Sequence, residues 1–162
     1  MRRVLSILVE NEPGVLTRVT GLFSGRGFNI ESLNVAPTLD CAVSHITIAT
    51  HGDAQIVEQI VKQLRKLVSV IKVVDFEDSA YVEREMVFLK VNGDESKRSE
   101  ILRIVDIFRC KIIDVSPNEF IIEATGTHDK LDAIITLLNR FGIKEIARTG
   151  TVAMRRSMQM TD

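Results

Sequence analysis

The chain has 162 residues, 45% of them apolar, and a formal net charge of −1. This composition excludes a disordered chain and removes the overall charge excess that draws proteins to nucleic acid or an acidic membrane. Cys41 and Cys110 lie far apart, so spacing gives no disulfide framework or zinc site. Apolar runs of about four residues fall far short of the roughly 20 that a membrane helix needs. The basic start Met1-Arg2-Arg3 soon meets Glu10 and Glu12, unlike a signal peptide. A soluble cytoplasmic protein is expected, or an organellar one whose transit peptide is absent from this sequence.

Residues 3–10 carry Val4, Leu5, Ile7, Leu8 and Val9 and read as a buried strand. Pro13 fits the first turn of a helix, where its missing N–H does no harm. Val15, Leu16, Val19, Leu22 and Phe23 recur with helical spacing, and Gly25 and Gly27 end that helix. Strands are expected at 28–36 and 43–50, divided by Pro37-Thr38-Leu39-Asp40. Ile46 and Ile48 alternate with Thr47 and Ala49, which predicts one buried face. Asp53 caps a helix reaching Lys66, with Ile56, Val57, Ile60 and Leu64 as its inner stripe. A strand from Val70 to Phe76 completes a β-α-β-β-α-β unit.

The order then restarts. Met86–Val91 reads as a strand and Asn92-Gly93-Asp94 as a turn. Ile101, Ile104, Val105 and Phe108 mark a helix. Lys111–Val115 and Phe120–Ala124 flank the hairpin turn Ser116-Pro117-Asn118. Leu131, Ile134, Ile135 and Leu138 mark a second helix, and Ile143–Thr149 the last strand. The fold class is therefore α+β, two tandem ferredoxin-like units. The boundaries are 1–77, a linker at 78–82, 83–152, and a tail at 153–162 without expected structure. Each unit covers one sheet face with helices and leaves the other bare. At about 75 residues each is near the lower limit for its own core. A second subunit is the expected cover.

One loop carries chemistry. Asn11-Glu12-Pro13-Gly14 opens a helix, so the N–H groups of Gly14 and Val15, or of Leu16 with a later start, lack intrahelical acceptors. They suit a small carboxylate, and glycine admits it closely. Asn29 offers an amide oxygen to an ammonium, beside the apolar Ile30. The same tetrapeptide is also an ordinary turn and helix start, and both readings stay open at this point. Catalytic groups are sparse. His45, His51 and His128 are scattered, with no metal-ligand spacing, nucleophile elbow or P-loop. With one tyrosine and no tryptophan, the sheets lack aromatic stacking platforms for RNA.

The segments Asn11-Glu12-Pro13-Gly14-Val15-Leu16-Thr17-Arg18-Val19, Gly21-Leu22-Phe23-Ser24, Arg26-Gly27-Phe28-Asn29-Ile30-Glu31-Ser32-Leu33 and Val35-Ala36-Pro37-Thr38 do not stand alone. Val82-Glu83-Arg84-Glu85, Ile112-Ile113-Asp114-Val115, Lys130-Leu131-Asp132-Ala133 and Glu145-Ile146-Ala147-Arg148-Thr149-Gly150 extend the pattern. Over about 1–152 the chain resembles the small regulatory subunits of acetohydroxyacid synthase, also called acetolactate synthase. The resemblance implies that 1–77 is an ACT domain, a ligand-sensing module. It implies a homodimer binding valine, or another branched-chain amino acid, between two ACT domains. Asn11, Gly14, Val15 and Leu16 of one chain would meet Asn29 and Ile30 of the other. It further implies a chain without catalysis or cofactor of its own, activating a separate large catalytic subunit and making it valine-sensitive. Thiamine diphosphate, magnesium and FAD would belong to that large subunit. Neither nucleic acid nor membrane is an expected partner.

Two segments depart from the family pattern. His45 stands where arginine is common and reads as a tolerated surface exchange, and Asp94–Ser99 differs as a helix-entry loop does. The alternative reading is an ACT-type amino-acid sensor regulating another enzyme or transcription.

Overall fold

Residues 2–77 and 80–157 are described by the computed structural model of the protein. Asp78 and Ser79 of the expected linker, and residues 158–162 of the expected tail, lie outside them. The chain forms two compact units. The first holds the chain up to Val82 together with the described residues from Gly150 onward, and the second is Glu83–Thr149.

In the first unit β1 (Arg2–Glu10) leads through a short loop to α1 (Val15–Ser24). Then follow β2 (Ile30–Pro37), β3 (Val43–His51), α2 (Ala54–Leu64) and β4 (Val70–Asp75). The sheet order is β2-β3-β1-β4, all neighbours antiparallel. Alternation decides which side of the sheet is wetted. Leu5, Ile7 and Val9 of β1, Ile46 and Ile48 of β3 and Val73 of β4 face the helices. They pack on Val15, Val19 and Phe23 of α1 and on Val57, Ile60, Val61 and Leu64 of α2. Two stripe residues differ from the sequence reading. Ile56 and Leu16 are 39% and 40% exposed, while Val61 is buried. The buried stripe of α2 runs 57, 60, 61, 64, and position 56 sits one residue, about 100°, off its centre.

Asp53 caps α2 as expected, its Oδ1 accepting from the N–H of Gln55 at 3.0 Å. Such a cap contributes about 1 kcal/mol.

The second unit repeats the order with β5 (Tyr81–Asn92), whose first two residues still belong to the first unit. It continues with α3 (Arg98–Phe108), β6 (Lys111–Val115), β7 (Glu119–Gly126), α4 (His128–Asn139) and β8 (Ile143–Arg148). Its sheet order is β6-β7-β5-β8. Val87, Leu89 and Val91 of β5 and Phe120, Ile122 and Ala124 of β7 meet Ile101, Ile104 and Val105 of α3. Leu131, Ile134 and Leu138 of α4 close this separate core.

The C-terminal segment departs from expectation. Residues 152–155, placed largely in a structureless tail by the sequence, form β9 (Val152–Arg155) alongside β5. The second-unit boundary at 152 likewise falls three residues beyond Thr149. Arg156 N–H donates to the Ala80 carbonyl at 2.9 Å, and Arg2 Nη2 donates to Thr151 Oγ1 at 2.8 Å. Gly150 makes the turn possible. Its φ is +80°, and a Cβ there would stand 3.2 Å from the Ser32 side chain. Ala153 is buried against Val4, Ala49, Phe76 and Tyr81, on the face of the first sheet away from its helices. That face is therefore partly covered by the chain itself. Ala49 of β3 belongs to that cluster and is buried, and Thr47 is buried too, where alternation alone predicted exposure. A four-residue strand with one buried alanine is too short to register as periodicity.

Candidate functional site

Helix α1 starts later than the proline suggests. Its first residue is Val15 and its N-cap is Gly14, at φ +84° in the left-handed region. Glycine adopts that conformation without a Cβ penalty, and the space beside its α-carbon is open. No side chain caps this end, and no acid stands in the first turn. The Glu12 carbonyl accepts from Val15 N–H at 3.4 Å, and the Gly14 carbonyl from Arg18 N–H at 3.1 Å. Among the described residues no backbone acceptor meets the N–H of Gly14, Leu16 or Thr17. These donors sit at the positive end of the helix dipole.

Asn11 shapes the rim. Its N–H donates to the Ala42 carbonyl at 2.7 Å and its Nδ2 to the Cys41 carbonyl at 2.8 Å. The side chain thus ties the loop to the β2–β3 turn and leaves an acceptor oxygen as its remaining polar atom. Cys41 and Ala42 escaped the sequence reading because backbone carbonyls carry no residue signature. Val15 points into the core at 2% exposure and its N–H already meets the Glu12 carbonyl, so the expected free donor at this position is taken. Leu16 supplies an exposed apolar wall.

Asn29 and Ile30 lie elsewhere. They open β2 just past the far end of α1, with Thr50 Oγ1 fixing the Asn29 carbonyl at 2.7 Å. Asn29 is exposed and Ile30 half-buried. Ten helical residues rise about 15 Å, well beyond the span of one small amino acid. One copy of the chain therefore brings together Asn11, Gly14, Val15 and Leu16, and does not bring Asn29 and Ile30 to them. β2 is an edge strand of its sheet, with a register shift between Ile30 and Ser32.

The histidines form no catalytic or metal-binding constellation. His45 Nε2 and Ser6 Oγ share a hydrogen bond of 2.6 Å, and partial burial lowers the pKa of His45. His45 is thus half-buried on the open sheet face and not a plain surface exchange. His51 pairs with Glu31 at 3.1 Å. His128 lies 3.1 Å from Asp132 and 3.7 Å from Glu85. Among the described residues no group of three or more histidine, cysteine, aspartate or glutamate side chains is placed to hold a metal. No helix there is long and apolar enough to cross a membrane.

Twin β-α-β-β-α-β units define an α+β protein with an ACT-like first unit, and comparison with known proteins agrees. Residues 5–72 match the family described as the AHAS small subunit-like ACT domain. Residues 84–157 match the family described as the small subunit of acetolactate synthase. A probable acetolactate synthase small subunit of Archaeoglobus fulgidus is 51% identical, covering 96% of this chain and 98% of that protein. The acetolactate synthase small subunit of Haemophilus influenzae is 52% identical, covering 96% of each. The crystal structure of the acetolactate synthase small subunit from Thermotoga maritima superposes with a TM-score of 0.88. It is 46% identical and covers 98% of this chain and 99% of that one. The chain belongs to the family of acetolactate synthase small subunits.

Proposed function

We propose that the chain is the regulatory subunit of an acetolactate synthase in the cytoplasm. It activates a separate large catalytic subunit and makes it responsive to valine or a related branched-chain amino acid. Thiamine diphosphate, magnesium and FAD are assigned to the large subunit, and catalysis with them. The observation that carries the reading is the bare start of α1. Unpaired N–H groups, a left-handed glycine and no nearby acid in the first turn make a carboxylate receptor.

The opposite placement of Asn29 and Ile30 supports a homodimer. Pairing two copies through their β2 edges about a two-fold axis runs the two β2 strands antiparallel. The start of β2 in one copy then lies at the end of the sheet that carries Asn11 and Gly14 in the other. The carboxylate lies at Gly14, Leu16 and Thr17, and the ammonium meets Asn29 across the interface. Leu16 and Ile30 face the branched side chain. Regulation requires that the occupied dimer contact the catalytic subunit differently from the empty one. A coupling of about 1–3 kcal/mol is the ordinary size for such an effect.

Calorimetric titration of valine tests the site. Gly14→Asp places a carboxylate against the ligand's carboxylate, and like charges at close range cost several kcal/mol, here about a hundredfold in Kd. Gly14→Asn, of nearly the same shape and tolerant of a left-handed backbone, serves as the neutral control and should bind far more tightly than Gly14→Asp. Equal, wild-type affinity in both variants removes the assignment. Mixing with the catalytic subunit, with its activity unchanged, removes the regulatory role.

A further inference from the structure

A second concavity lies on the opposite side of the first unit's sheet from the helices. It has a volume of about 580 Å³, within the range of small-molecule sites. Its floor comes from outward-facing strand positions. Asn34 and Ser6 line it, and register places Thr47 between them on the same face. The next row holds Ala36, His45, Leu8 and Lys72. Ser6 and His45 satisfy one another at 2.6 Å. Thr47 is 1% exposed, and its Oγ1 has no hydrogen-bond partner among the described residues.

The apolar lining includes Val74 and Phe76 together with Val152 and Met154 of β9. Two cations, Lys72 and Arg155, line the same concavity, and no aspartate or glutamate does. Neither cation is ion-paired to a described residue. Two unpaired cations over an apolar cleft with a polar floor select a charge and a shape. We propose that this groove binds a small carboxylate with an unbranched or lightly branched hydrocarbon body. The carboxylate lies toward Lys72 and Arg155, and the chain runs between Phe76 and Met154. The groove differs from the α1 entry in every residue, so the two sites stand or fall separately.

Hexanoate and its neutral isostere hexanamide are the probes, titrated into the full-length protein with backbone amides followed by NMR. Hexanoate should shift the amides of Ser6, His45, Thr47, Val74 and Met154 together and saturably. Hexanamide should bind at least roughly tenfold more weakly, the size of one charge-assisted hydrogen bond. The double variant Lys72→Ala/Arg155→Ala, whose spectrum reports its fold, should bring hexanoate down to the hexanamide level. Gly14→Asp should leave hexanoate binding unchanged. Equal responses to the two probes, shifts confined to other residues, or no saturable shift in the groove overturn the proposal. The last of these is also the result if a protein surface occupies the groove in solution.

Discussion

The two units share one topology, yet their first helices begin in opposite chemical states. At α1 the cap is a left-handed glycine, with no capping side chain and no acid in the first turn. At α3 no side chain caps the helix either, but carboxylates stand in its entry turn. The Asp94 carbonyl accepts from the N–H groups of Lys97 and Arg98. Its Oδ1 takes the Ser96 hydroxyl at 2.6 Å and its Oδ2 meets Lys97 Nζ at 3.0 Å. Those contacts, the Ser96 hydrogen bond foremost, hold the Asp94 pKa below its usual value. Glu100 adds a further charge in the first turn. An incoming carboxylate finds open donors at one entry and settled negative charge at the other. Under the proposed function, a few helix-entry residues and not the shared architecture distinguish the sensing unit from the other.

The cores can be set against each other in the same way. Phe23 is fully buried in the first core, and Leu131 in the second, with no residue common to the two clusters. Phe23→Ala should cost about 3–5 kcal/mol and lower the melting of the first unit alone. Differential scanning calorimetry would show one transition falling and the other staying. A single transition that falls as a whole would mean the units unfold together.

A smaller effect is expected at an ion pair special to the second unit. Glu85 is 4% exposed and receives Arg148 in a two-pronged contact, 2.6 Å to Oε1 and 3.0 Å to Oε2. The Glu85 hydrogen bond raises the Arg148 pKa further. Glu85→Gln should cost about 2 kcal/mol, short of the full buried-pair value because Arg148 stays partly solvated. The midpoint of urea unfolding, followed in the second unit, checks it. An unchanged midpoint would make the pair an incidental surface contact.

The smallest effect concerns His45 in the first unit. Burial lowers its pKa below the ordinary 6.5, so the folded state favours the neutral ring. The unfolded chain takes up the proton first as pH falls. Stability is therefore lost as pH drops through 6.5 toward the lower folded value, and it is retained above 6.5. His45→Gln should flatten that part of the curve. Thermal melts at a series of pH values would show the wild type losing more than the variant. Parallel curves would overturn it.

Much of this comparison is legible in the amino-acid sequence. Leu5-Ser6-Ile7 and Ile46-Thr47-Ile48 announce strands by alternation, and Val57, Ile60 and Leu64 announce a helix by its turn. Both signals are local and repeat within a few residues. The helix-entry residues were legible for a similar reason, since Asn11, Gly14 and Leu16 sit within one turn of chain. What escaped was set by contacts distant in sequence. Ala49 looks like an outward residue until Ala153 packs against its face of the sheet. Pro13 looks like the first helical residue until Gly14 takes a left-handed conformation and moves the start to Val15. The grip of Asn11 on the Cys41 carbonyl joins residues 30 apart.

The sequence by itself determined the twin β-α-β-β-α-β order, the family pattern, and a helix start bared by Gly14. These follow from side-chain size, charge and spacing along the chain. Tertiary structure alone decided that α1 starts at Val15 and not at Pro13, that β9 walls a groove on the open sheet face, and that Asn11 grips the Cys41 carbonyl. Such facts depend on how strands return in space. Hydrophobic burial is non-directional, so it fixes that a face must be covered without naming the segment that covers it.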